Sequence, residues 1–107
     1  MKYSTTIYKV LMSIDVAFEN NIPPYETFDL EKIGISYKRL CVILKSLYES
    51  GYIDGIAFIE CIGEEIPDFK LCGCHLTMDG MLYLENNSTM KQAYRVLKEA
   101  KDWIPGF

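Results

Sequence analysis

Between Ser36 and Leu76 the apolar residues change their period once, and this change restricts the folds open to the chain more than any other feature. Tyr37, Leu40, Cys41, Leu44, Leu47 and Tyr48 recur at steps of three, one, three, three and one, which is one face of a helix with 3.6 residues per turn. Ser36 stands where an N-cap belongs, and Gly51 closes the helix. From Tyr52 to Ile62 the residues become β-branched and aromatic, and Phe69 to Leu76 repeats that character after the polar stretch Gly63-Glu64-Glu65-Ile66-Pro67-Asp68. Two extended runs joined by a polar loop with Gly and Pro predict a β-hairpin.

Upstream, Ile7, Leu11, Ile14 and Phe18, widened by Val10 and Ala17, predict a helix from about Tyr3 to Asn20 that Asn20-Asn21 and Pro23-Pro24 stop. Asp29 can cap a single turn, Leu30 to Ile33, which Gly34 ends. Downstream, Thr77 caps a helix over about Met78 to Asn87 with Met81, Leu82 and Leu84 as its apolar members. Ser88 caps a last one, whose stripe of Met90, Ala93, Tyr94, Leu97, Ala100 and Ile104 runs up to Pro105. Helix, short helix, helix, β-hairpin and two closing helices give an α+β chain in the order of a winged helix-turn-helix, with the hairpin as the wing. Half of the 107 residues are apolar and 24% charged, with no repeat or linker, so a single domain over residues 1–107 is expected.

No stretch reaches the ~18 to 20 consecutive apolar residues that a membrane span needs, and Met1 to Thr6 leads into no signal-peptide core. A cytoplasmic protein without membrane attachment is the expectation. The four cysteines, Cys41, Cys61, Cys72 and Cys74, lie among apolar neighbours and are expected as free thiols.

The segment Leu76-Thr77-Met78-Asp79-Gly80-Met81-Leu82-Tyr83-Leu84-Glu85-Asn86-Asn87-Ser88 resembles the part after the wing in the small YjcQ-like proteins of Firmicutes and their phages. Lys98-Glu99 with Asp102-Trp103-Ile104-Pro105, and Leu47 to Ile56 with Gly51-Tyr52-Ile53 and Gly55, are similar to the same family, so that most of residues 36–105 is covered. The resemblance implies a winged-helix fold in an uncharacterised, often prophage-associated protein, and it implies no catalytic residues. The Thr-x-x-Gly pattern also has a purely structural explanation, a threonine cap and a glycine that permits close packing against the wing.

Catalysis and cofactors find little support. Cys72-Gly73-Cys74-His75, with Cys61 on the preceding strand, is the nearest approach to a zinc site, yet its Cys-x-Cys spacing is short of the usual two to four intervening residues. In a regular strand Cys72 and Cys74 share one face while His75 points to the other, and no metal or other cofactor is expected. With one His, acid–base chemistry would fall to Glu60, Glu64, Glu65 and Asp68, which have no basic or nucleophilic partner at a telling spacing. No phosphate-cradling glycine loop is present. An enzyme is not expected.

Charge is distributed unevenly: residues 31–50 carry a net +2, whereas residues 51–80 carry −5 within a chain of net −4. The basic share lies on the outer face of the amphipathic helix, where Lys38, Arg39, Val42, Lys45 and Ser46, with Ser36 at its start, are what a recognition helix offers to a major groove. The same face also suits a plain solvated helix. The acidic wing, Glu64, Glu65, Ile66 and Asp68 with Phe69, opposes a phosphate backbone and could instead meet a basic protein surface. Two function classes therefore stand open. One is weak duplex-DNA binding in a regulatory role, with a homodimer expected because one helix with three cations buries little DNA surface. The other is a protein-interaction module that docks on a host regulator or defence protein through its wing.

Overall fold

The computed structural model of the chain describes residues 3–59 and 68–86. Along it run α1 (Tyr3–Asn20), a 3-10 turn (Pro24–Glu26), α2 (Leu30–Ile33), α3 (Tyr37–Glu49), β1 (Ile53–Ile59), β2 (Asp68–Leu76) and α4 (Met78–Asn86). Among the described residues this is an α+β arrangement of four α-helices and one antiparallel strand pair, compatible with a winged helix. The expected closing helix and the hairpin tip, including Cys61, Glu64, Glu65 and Ile66, lie outside the described residues.

Local chemistry sets most of the helix ends. Asn21 takes a left-handed φ of 53°, and the Ile22 N–H turns back to the Ala17 carbonyl at 2.9 Å, closing α1. The Asp29 carboxylate accepts the Lys32 N–H at 3.1 Å and Ser36 Oγ accepts the Arg39 N–H at 3.1 Å, so both expected caps form. Gly51, at φ 81°, ends α3 and lets the Tyr52 N–H reach the Leu47 carbonyl at 2.9 Å.

The core lies where α1, α3 and the base of the hairpin converge, and Val10, Leu11, Ile14, Leu40, Leu44 and Ile53 are its fully buried centre. Each such side chain contributes about 1.5–3 kcal/mol by leaving water. The buried face of α3 differs from the expected one: Ile43 is buried, while Tyr37 and Tyr48 are 49% and 43% exposed. Both tyrosines stand at the rim of the helix interface, where Tyr37 stacks on Phe69 (5.7 Å between centroids) and Tyr48 meets the Phe58 ring edge-on (5.8 Å). On α1, Phe18 is likewise outside the core and packs on the His75 ring at 5.4 Å, whereas Tyr8 and Val16 are buried, so α1 is covered on more than the single expected stripe.

The hairpin contains an irregularity that the alternation of its residues does not announce. Ile53 pairs with Leu76 and Asp54 with His75, but Ile56 pairs with Leu71, leaving Gly55 opposite the stretch Cys72 to Cys74. Gly55 and Gly73 both have positive φ, 75° and 74°, and a Cβ on Gly55 would stand 2.5 Å from the Gly73 carbonyl oxygen. Each strand turns over at this crossing, so the inward residues are Ile53 and Ile56 on one strand and Leu71 and Cys74 on the other, three apart rather than two. Cys72 and Cys74 therefore do not share a face: Cys74 is buried and Cys72 exposed.

Helix α4 starts against the end of α3. The Thr77 N–H bonds the Tyr52 carbonyl at 3.0 Å, Thr77 Oγ1 donates to the Gly51 carbonyl, and the same oxygen accepts the Gly80 N–H at 3.2 Å. Gly80 is the buried residue of α4, and Tyr83 and Leu84 lean on the core, while Met81 and Leu82 face outward, contrary to the expected apolar face. The close approach of Gly80 to the Tyr52 backbone fixes which side of this helix faces in.

Candidate nucleic-acid interface

Each residue expected to form a groove-reading face sits on α3 or at its start. Ser36, Lys38, Arg39 and Val42 are exposed, and Lys45 is partly covered. Ser36 uses its hydroxyl oxygen as the N-cap acceptor. Arg39 and Lys45 are seated on rings from other elements: the guanidinium lies 5.9 Å from the Tyr3 centroid on α1, and the ammonium 5.8 Å from the Phe58 centroid on β1. Such cation–π contacts contribute about 0.5–1 kcal/mol at exposed sites and restrict where the charges can go. Val42, 39% exposed, lies between them on the outer face and offers a small apolar surface of the kind that meets a thymine methyl. Tyr3 and Phe58 escape sequence reading because the ring seats depend on how α1 and β1 pack on α3.

The two described members of the expected wing surface are turned toward the body. Phe69 is half-buried, stacked on Tyr37 and edge-on to Phe28 at 6.1 Å. The Asp68 carboxylate accepts hydrogen bonds from the Tyr37 hydroxyl and, at 2.8 Å, from the Phe69 N–H. These two donors hold the Asp68 carboxyl below its ordinary range, and the Tyr37 phenol is pushed up because losing its proton would end the bond to Asp68. The depressed Asp68 value means that its contribution to stability is complete above about pH 4 and is lost as pH falls through the folded-state value. Tyr37→Phe removes the dominant donor, so below about pH 4 the variant is expected to lose stability less steeply than the native chain in thermal melts. Identical pH profiles would show that the bond has no energetic role.

The cysteines divide by environment. Cys74 is pushed up to about 12 by burial first and by the charges of Asp54 and Cys72 second, and burial also raises Cys41. Both remain thiols at neutral pH, which disfavours a nucleophilic role. Iodoacetamide at about pH 8 should therefore label Cys72 in the native chain and reach Cys41 and Cys74 only after unfolding. Labelling of Cys74 as fast as Cys72, read by peptide mapping, would contradict the burial. Among the described residues no group of three His, Cys, Asp or Glu side chains is placed to hold a metal ion, and no helix is long and apolar enough to cross a membrane.

Fold and site together define a small α+β protein in which a capped, basic helix is presented to solvent beside a β-hairpin. The chain belongs to the YjcQ family: the family model for YjcQ protein matches residues 8–103. It is similar to the uncharacterized protein YjcQ of Bacillus subtilis (strain 168), with 33% identity over 97 residues that cover 91% of this chain and 92% of that protein. The match reaches into α1, upstream of the segment in which the resemblance is legible by eye. No solved structure matches significantly.

Proposed function

We propose that the protein is a winged-helix duplex-DNA-binding protein of phage or prophage type, a cytoplasmic regulatory binder rather than an enzyme, with α3 as the element that enters the major groove. The observation that carries this reading is the exposed α3 face, on which Lys38, Arg39 and Lys45 stand beside Ser36 and Val42, with two of the three cations seated on aromatic rings. A positioned cation reaches a phosphate or a guanine edge with less ordering than a free lysine would need. Docking on a protein through Asp68 and Phe69 is less favoured, because those side chains are already engaged with Tyr37 and Phe28.

Binding to random-sequence duplex DNA as a function of salt tests the reading without knowledge of an operator. Three neutralised phosphates give a slope of log K against log salt of roughly −2.7, and a dimer with two such faces gives roughly −5.4. Absence of any shift at low salt and tens of micromolar protein would remove DNA as the ligand.

A further inference from the structure

The outer face of α3 has a midline, and the residue that stands on it in the second turn is uncharged. At about 100° per residue, Lys38 and Lys45 lie about 40° and 60° to one side of Val42, and Ser46 and Arg39 about 40° and 60° to the other. Val42 is 39% exposed and is the apolar side chain between these two flanks. It is β-branched, so on a helix its two methyl groups are held in essentially one rotamer. Each flank carries a cation seated on a ring of another element, Arg39 on Tyr3 and Lys45 on Phe58. Exposed Glu49 lies two turns beyond Val42 and about 20° from the same line.

A helix lying in a major groove turns its flanks toward the two phosphate backbones and its midline toward the base edges. Cations on both flanks of α3 suit the first requirement. An isopropyl group on the midline covers the base edge that it meets and offers it no hydrogen bond, so a donor or acceptor beneath it loses water without replacement. Thymine is the base that presents a methyl group in this groove. The Glu49 carboxylate is repelled by the phosphates, so the base contact falls to the first two turns of α3, where Val42 stands.

We propose that Val42 makes α3 selective for thymine through the C5 methyl group of the base, so that the preferred ligand is a duplex with an A·T pair under the middle of the helix. This assignment rests on the DNA-binding reading above and specifies the base that the same face selects. Lys38, Arg39 and Lys45 then supply affinity for any duplex, and Val42 supplies the discrimination. The two contributions differ in kind, since the first falls with salt and the second is apolar.

An alternating dA-dT duplex and its dA-dU counterpart, which differ chemically only in that methyl group, are the probes, with affinities of the full chain read by fluorescence anisotropy at low salt. The alternating sequence offers the contact in every register, so no operator is needed. The native chain is expected to bind the dA-dT duplex about three- to fivefold more tightly, the worth of one methyl group removed from water. Val42→Ala is expected to bring this ratio close to one by weakening dA-dT binding while leaving dA-dU binding unchanged, whereas damage to the fold would weaken both. Comparing the two chains on both duplexes also cancels any difference between the duplexes themselves. The native ratio is expected to persist as added salt lowers both affinities. Equal affinities of the native chain for the two duplexes, or a ratio that Val42→Ala retains, would overturn the assignment and leave DNA binding in place. Absence of binding to either duplex would overturn the DNA reading and this assignment with it.

Discussion

Gly80→Ala is expected to cost about 3 kcal/mol or more, enough to take a domain of this size to the margin of folding. The added Cβ would stand 2.1 Å from the Tyr52 carbonyl oxygen and 3.4 Å from the Leu76 Cβ, and the first of these is backbone that no rotamer change can move. Helix α4 would have to lift away from Tyr52, breaking the bond between the Thr77 N–H and the Tyr52 carbonyl and uncovering Leu76. In a domain of about 100 residues each kcal/mol moves Tm by roughly 4–8 °C, so a loss of about 12 °C or complete unfolding is the expected melting result. Gly34→Ala is the control: nothing lies within 4 Å of its added Cβ, and only its φ of 84° opposes a side chain, at a cost of about 1–2 kcal/mol. A Gly80 variant that melts within about 2 °C of the native chain would refute the close approach of α4 to the hairpin base.

The second large effect concerns binding. Lys38→Glu, Arg39→Glu and Lys45→Glu together reverse three charges on one helix face and are expected to lower duplex-DNA affinity by at least about 100-fold, with the salt slope falling toward zero. The fold is expected to survive, since the three side chains lie off the buried residues Leu40, Cys41, Ile43, Leu44 and Leu47. The stability lost includes that of two ring contacts, about 0.5–1 kcal/mol each, and unchanged far-ultraviolet dichroism would confirm that the fold survives. Lys70→Glu, on β2, is the charge control and should move DNA binding far less. A triple variant that still binds with the native slope would place the DNA surface elsewhere or exclude it.

What could be read in advance follows the range of the interactions involved. Asp29, Ser36, Gly34 and Gly51 act within four or five residues of themselves, so the ends of α2 and α3 were legible in the sequence, as was the run of α1 up to Asn20. The crossing of Gly55 and Gly73 was not, because each glycine is explained only by the backbone of the other strand. Without it, strict alternation places Cys72 beside Cys74 and misassigns one of them. The rim positions of Tyr37 and Tyr48 escaped for a related reason: helical period shows that a side chain lies near the apolar face, while the neighbouring strand decides whether it is covered or stands at the border. The basic residues of the candidate site were legible as types, but their seats on Tyr3 and Phe58 were not.

The anchoring of Thr77 and Gly80 on Gly51 and Tyr52 has a consequence for how such a chain can vary. The two ends of the hairpin excursion are tied to each other by backbone contacts at its base, and Phe58, Asp68 and Phe69 tie its strands to α3, so a change of length between Ile59 and Asp68 leaves all of these contacts in place. Because the entropy of closing a loop grows only with the logarithm of its length, each doubling adds about 0.6 kcal/mol. Insertions and deletions between Ile59 and Asp68 should thus cost folding little, and that stretch of sequence is free to diverge in length and charge among relatives. A connection exchanged between such proteins would travel onto unchanged strands, which makes the stretch between Ile59 and Asp68 a unit of grafting while the strands themselves stay matched to α3.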